Sequence, residues 1–261
     1  DYPKREWANF HIVQNRDQED TMASYMPHWI QPGLVPRDPS RQGVRAVAYF
    51  GQLERNLAGS VDYWRSVFAP YGIAFSAPPP GRWHDMSEID ALIAIRSFNR
   101  KPHRTKPATK LFNAWHAHIP FIGGYDSAYA QVGSPGCDYM VASSPEEARD
   151  HVLRLAEAPL LYRMMVTNGE RKAQTYTFEK IAARWEALLD GQIKRQYAKW
   201  LRSWFSPVTF AFGLTTGFSL HVARRLGHRA LNGISGRKPA NLSVAQAPQR
   251  QPTPPASQET K

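Results

Sequence analysis

Short apolar runs alternate with amphipathic stretches along most of the chain. Phe10-His-Ile-Val-Gln-Asn, Tyr71-Gly-Ile-Ala-Phe, Ala91-Leu-Ile-Ala-Ile, Phe121-Ile and Tyr139-Met-Val-Ala have the length and residue types of short strands. Ala46-Val-Ala-Tyr-Phe-Gly51 is continuously apolar and ends in glycine. That is the pattern of a buried parallel strand with a ligand loop at its carboxyl end. Helical patterns fill the intervals. Ser60 to Ala69 has Ser60 as N-cap. Leu111, Ala114, Trp115 and His118 recur at helical spacing and predict an inward face, with Lys110, Asn113 and Ala117 on another stripe. Pro107 is expected in the first turn of this helix, and Pro120 ends it. Ser144-Pro-Glu-Glu reads as N-cap, Pro at the first helical position and acids in the first turn. Two further helices are expected, Leu160 to about Gln174 and Phe178 to Leu189. Strands alternating with helices imply an α/β fold, a doubly wound parallel sheet covered on both faces.

Proline and charge punctuate this pattern. Tyr25 to Pro39 holds four prolines and a glycine, which excludes regular structure and reads as a hinge. Phe98 to Thr105 is basic and irregular. The net charge is +11, and ten basic groups lie in a stretch from Gly191 to Gln258 that has no Asp or Glu. The body is therefore nearly neutral, and the basic end points first to an anionic surface. Four spans follow: 1–43, remnant and hinge; 44–190, the α/β domain; 191–235, a basic amphipathic helical extension; 236–261, a disordered tail rich in Pro, Gln, Ser and Ala. Within the extension, Ser203 to Ala223 is uncharged and long enough to span a bilayer. Its Pro207, Gly213, Gly217 and His221 argue instead for an interfacial segment or a packed C-terminal helix.

The densest cluster of chemistry is Lys106 to Tyr129. Lys110-Leu-Phe-Asn-Ala followed by Ile119-Pro-Phe-Ile-Gly-Gly resembles the donor-binding segment of GT-B glycosyltransferases. The Lys-Leu-x-Asn-Ala part is similar to fucosyltransferases of that fold, in which the lysine approaches the donor phosphates. The likeness runs from about Tyr25 to Leu189 and includes Pro159-Leu-Leu-Tyr-Arg-Met-Met-Val-Thr-Asn-Gly-Glu-Arg. The common retaining pattern, Glu, seven residues, Glu, is absent; its positions hold Thr105 and Asn113. The resemblance implies a Rossmann-like donor-binding half of a GT-B fold. Residues 1–24 would then be the last piece of an acceptor domain. It also implies glycosyl transfer from a nucleotide-sugar, without an essential metal, to an unknown acceptor such as a glycan, lipid or protein.

Candidate residues follow from chemistry and resemblance together. Lys110 is the expected phosphate binder, weighed against a solvated helix lysine. Arg96 stands at a strand's carboxyl end, where doubly wound sheets bind ligands; the structural alternative is an ion pair with an acid such as Asp90. Gly51 is expected to face the donor phosphates. Lys106 reaches phosphate or stays solvated, and Asn113 bonds ribose or sugar or is an ordinary polar position. Tyr125, Asp126 and Ser127 occupy the loop where the resemblance places sugar contacts. Gly123-Gly124 beside the helix start can cradle an anion. No spacing of His, Asp or Glu makes a metal site, and no cofactor is expected. One cysteine, Cys137, excludes an internal disulfide and fits a cytoplasmic setting, with or without membrane association. Asp1-Tyr-Pro-Lys-Arg-Glu has no apolar core and reads as the interior of a longer protein. The competing reading is a catalytically idle module of the same fold at a membrane surface. Nucleic acid is not an expected partner.

Overall fold

The computed structural model describes residues 4–5, 8–54 and 56–202, and beyond them only 208, 211, 212, 215, 216 and 219. The tail 236–261 and almost all of 203–235 lie outside the described residues, so the readings made there are not addressed. Two short parallel strands come first, β1 (His11–Val13) and β2 (Ala23–Tyr25). The main sheet follows: β3 (Ala46–Ala48), β4 (Ala74–Ser76), β5 (Ala91–Ala94), β6 (Phe121–Gly123) and β7 (Met140–Val141). Its order is β4-β3-β5-β6-β7, and every pair is parallel.

The helices are α1 (Val61–Phe68), α2 (Thr109–His116), α3 (Ser127–Val132), α4 (Pro145–Glu157), α5 (Pro159–Ala173), α6 (Phe178–Leu188) and α7 (Lys194–Leu201). A π-helical turn, Leu189–Ile193, joins the last two. The chain winds outward one way from β3 to β4 and the other way from β5 to β7. Right-handed crossovers then put α1 and α2 on opposite faces of the sheet. α4 packs on α1, and α5 packs on α2. The direction of winding reverses between β3 and β5, the place where doubly wound sheets bind ligands.

Local sequence explains most boundaries. Ser60 Oγ accepts the Tyr63 N–H at 3.0 Å, and Ser144 Oγ accepts the Glu147 N–H at 3.1 Å. These are the expected N-caps. The core is built on Trp64, Phe68 and Phe75 on one side and Phe112, Trp115 and Tyr176 on the other. Two expectations shift. α2 begins at Thr109, so Pro107 precedes the N-cap Ala108 instead of entering the first turn. The helix also ends at His116, and His118 takes a left-handed φ of 58°. His118 therefore leaves the inward face and meets Glu170 at 2.5 Å on the surface.

The Pro-rich segment has no regular element, as expected, but it is tightly held. Val35 N–H donates to His84 O at 2.8 Å and Arg37 N–H to Ala117 O at 3.0 Å. Its main anchor is Asp90, a carboxylate 1% exposed at the amino end of β5. Asp90 accepts from Arg37 Nε, Arg41 Nε and Nη2, and the N–H groups of Arg45 and Ala46, all at 2.9 Å. Burial opposes its ionisation, yet the guanidinium of Arg41, the two N–H groups and Arg37 hold its carboxyl below the usual carboxylate range. Removing the acid strands two buried or half-buried cations. Asp90→Ala is expected to cost about 3–5 kcal/mol of unfolding free energy in a urea titration. A loss below about 1 kcal/mol would show that the strap is anchored elsewhere.

Candidate functional site

The loops after β3 and β5 and the start of α2 meet at the reversal point. β3 runs out through the buried Tyr49 and Phe50 to Gly51. Gly51 has φ 144°, a conformation open to glycine and costly for other residues. A methyl group there would sit 3.0 Å from Lys110 Cε, 3.1 Å from the Tyr49 hydroxyl and 3.2 Å from Lys110 Nζ. Gly51 is thus bare because the end of Lys110 lies against it. Lys110, in the first turn of α2, points its Nζ at the Tyr49 ring, 5.2 Å from the centroid. Among the described residues it has no ion-pair partner and no hydrogen bond. Burial, and then the nearby Arg96 charge, push its ammonium down to about 7. Tyr49, fully buried with its hydroxyl donating to Gln52 O at 2.9 Å, is pushed up to about 12 by burial.

Arg96 is in the same place but in a different state. Its Nε donates to Asp126 Oδ2 at 2.6 Å, with the two side chains 5% and 1% exposed. Its Nη1 donates to Asn56 Oδ1. The pairing with Asp90 weighed from the sequence is not made, because β5 separates the two. Asp90 stands at the strand's amino end and Arg96 at its carboxyl end. Burial pushes the Asp126 carboxyl up, and Arg96 works against that. Asp126 Oδ1 is buried with no hydrogen-bond partner.

The other candidates are spread around this pair. Ser127 begins α3; its N–H donates to Pro102 O at 2.6 Å and its Oγ accepts from Asn15 Nδ2 at 3.0 Å. Tyr125 is 40% exposed, with the Arg100 guanidinium 5.1 Å from its ring centroid. The Lys106 carbonyl accepts from Asn15 Nδ2 at 3.0 Å, and the Lys106 charge acts on Lys110. Asn113, one turn beyond Lys110 on α2, is 6% exposed, and its Oδ1 accepts the Gln31 N–H at 2.9 Å. It fastens the Pro-rich strap. The glycine loop expected beside Lys110 is also different: Gly123 lies inside β6, where a methyl would come within 2.7 Å of Phe121 and 3.0 Å of Tyr129. Its bareness serves ring packing, and the glycine that faces the lysine is Gly51.

Sequence reading missed Asn15. It is fully buried, and besides its bonds to Lys106 and Ser127 its Oδ1 accepts from Gln131 Nε2 at 2.9 Å and from the Asp17 N–H at 3.0 Å. It ties the loops on both sides of the site together across more than ninety residues of sequence. Nothing local marks it, since an Asn before a polar turn is ordinary.

No family model matches the chain, and no curated protein matches it. Solved structures do. HepE of Anabaena in complex with UDP and glucose superposes with a TM-score of 0.57 at 10% identity, over 70% of this chain and 63% of that one. The HepE complex with UDP-glucose gives 0.53 at 12%, over 70% and 64%. Sucrose-phosphate synthase from Thermosynechococcus elongatus gives 0.50 at 13%, over 72% and 58%. The chain spans less than two thirds of each of these structures. At such identities the likeness is one of fold: a Rossmann-like parallel sheet with flanking helices, the arrangement of one half of a GT-B fold.

The state of Lys110 has a measurable consequence. Its ammonium is depressed from 10.5 in the free side chain to about 7 in the fold. Between those values the unfolded chain holds more proton, so stability rises with pH. The penalty is therefore full below about pH 7 and gone above about pH 10.5. Lys110→Met is expected to raise the melting temperature by about 2–4 °C at pH 7 for a net gain of about 1 kcal/mol. The gain should shrink as pH climbs towards 10. A gain that is constant with pH would mean the lysine is solvated.

Proposed function

We propose that this chain is the nucleotide-sugar-binding half of a glycosyltransferase. The observation that carries the reading is Lys110: a cation with no ion-pair partner among the described residues, packed against a bare glycine, at the point where a doubly wound sheet binds ligands. A diphosphate set between the Gly51 loop and the start of α2 supplies the missing negative charge. α2 has no side-chain cap at its start, and an uncapped helix start is a place where an anion is readily held. As the bond from the sugar to the diphosphate breaks, negative charge grows on the leaving oxygen. Lys110 meets it as a point charge already in position, and no metal is required in this scheme. Arg96 serves less directly. Locked by Asp126 and Asn56, it sets the local potential and keeps Lys110 low in proton affinity until the anion arrives. Asp126 Oδ1 is left to accept a ribose or sugar hydroxyl, with Ser127, Tyr125 and Lys106 around it. Asn113 retains only its amide nitrogen for such a contact. HepE bound to UDP and glucose supports a nucleoside diphosphate as the class of donor. The general base that activates the acceptor comes from elsewhere.

Calorimetry with UDP, GDP, ADP and CMP in EDTA tests this. One diphosphate is expected to bind, and Lys110→Ala to weaken it by about tenfold to a hundredfold, the worth of a charged hydrogen bond. Binding takes up a proton, since Lys110 is half neutral near pH 7 and charged in the complex. Affinity is then flat below pH 7 and falls by about tenfold per unit above it. Unchanged affinity in Lys110→Ala would sink the assignment.

A membrane-surface role, as an addition or as the whole function of an idle module, is favoured by α7. That helix has no acid, carries Lys194, Arg195 and Lys199, and leaves Tyr197 and Leu201 59% and 58% exposed. Tyr197 and Trp200 stack with centroids 5.8 Å apart. Basic groups beside exposed aromatics suit an anionic headgroup layer. Among the described residues no helix is long and apolar enough to cross a membrane. The chain is expected to float with phosphatidylserine vesicles, and a chain ending at Asp190 to stay in the pellet. Equal flotation of both would remove this reading.

A further inference from the structure

The donor reading places Lys110 on the diphosphate with Arg96 and Lys106 beside it, and leaves Arg100, Lys101 and Arg104 without a role. From Ala91 to Tyr125 the sequence has no Asp or Glu, yet it carries Arg96, Arg100, Lys101, Arg104, Lys106 and Lys110. The fold gathers these where β5 ends and α2 begins, on the crevice side of the sheet. Asp126 claims Arg96, and Asp17 meets Arg104 at 3.6 Å while Arg104 stays 73% exposed. Lys101 is exposed and makes no ion pair among the described residues.

This loop is built, not merely solvated. Arg100 and His103 hold φ of 56° and 44°, left-handed values that residues with a Cβ keep only when their surroundings impose them. The Pro102 carbonyl accepts from Ser127, Ser97 Oγ lies 3.1 Å from His103 Nε2, and Arg100 stacks on Tyr125. The loop is thereby fixed to the same residues that line the donor crevice. Burial holds His103 below its usual range; the Asp126 carboxylate pulls it up, and Arg96, Lys101 and Lys106 push it down, so charges from both the site and the loop meet at this residue.

A donor diphosphate finds its compensation in Lys110 and the start of α2, and the loop charges exceed that need. We propose that the loop 97–106 seats a phosphate carried by the second substrate, so that the acceptor is a phosphate-bearing molecule. This rests on the donor reading for the word acceptor, but the anion seat itself does not. The phosphate can belong to a soluble glycan or to a lipid headgroup; the chemistry recognised by Lys101 and Arg104 is the same.

Tripolyphosphate is the probe, titrated by calorimetry into the full chain saturated with UDP. It is expected to bind, and Lys101→Glu/Arg104→Glu to weaken it about tenfold while leaving UDP affinity within about twofold. Lys194→Glu/Lys199→Glu on α7 is the control and should change tripolyphosphate binding less than twofold. Vesicles containing phosphatidylglycerol distinguish the source, with Lys194→Glu/Lys199→Glu as the parent so that α7 does not hold the vesicle: flotation lost when Lys101→Glu/Arg104→Glu is added assigns a lipid phosphate, and unaltered behaviour a soluble one. The proposal is overturned if UDP and tripolyphosphate compete, if both double variants lose affinity equally, or if an oligonucleotide binds the loop more tightly than tripolyphosphate does. If UDP fails to bind at all, the donor reading falls. The loop variant's selective loss of tripolyphosphate would then still establish the anion seat.

Discussion

A single buried ion pair decides what the crevice can do. Arg96 and Lys110 both reach the ends of the parallel strands, and among the described residues the carboxylate that acts on both is Asp126. Asp126 takes Arg96, with the geometry of a charge-assisted bond and almost no exposure on either side. Lys110 is left as the uncompensated cation, and the nearby Arg96 charge depresses it further. Had Asp126 paired with the lysine, Arg96 would have been the cation left over, and an arriving anion would have met an always-charged guanidinium instead of a titratable ammonium. The division of labour between two basic groups thus comes from one hydrogen-bonding choice.

β5 carries this arrangement at one end and a second buried carboxylate at the other. Asp90, just before the strand, fastens the Pro-rich strap through Arg37 and Arg41; Arg96, just after it, organises the crevice. A four-residue strand in the middle of the sheet, fully buried, holds the two ion pairs apart. That separation keeps the structural cluster from neutralising the candidate binding cluster. The N-terminal segment joins the same design through Asn15, which has no charge and so braces the crevice loops without changing their potential.

The basic loop beyond Arg96 extends the crevice's field outward. The amino-acid order shows Phe98 to Thr105 as basic and irregular, but not what its charges lie beside. Only when β5, α2 and the loop are placed together does the excess become a surface instead of a sum. The strained backbone at Arg100 and His103 and the anchor at Ser127 make it a surface with a shape.

The sequence by itself determined the α/β class, most of the strands and helices, the Ser60 and Ser144 caps and the irregular strap; β2, α3 and the order of strands in the sheet were not legible in it. Each legible feature depends on residues within a turn or two of one another, where hydrogen bonding and apolar periodicity act locally. It also marked Gly51, Lys110, Arg96 and Asp126 as the positions with chemistry. Tertiary structure alone decided their partners: Asp126 for Arg96 across thirty residues, Gly51 for Lys110, Gln31 for Asn113, and Asn15 for Lys106 and Ser127. Charge pairing and close backbone approach depend on distance in space, and the crossovers of the sheet set those distances, not the spacing along the chain. For the same reason His118, placed inward by periodicity, ends outside: Pro120 and the turn into β6 stop the helix before its last predicted turn is complete.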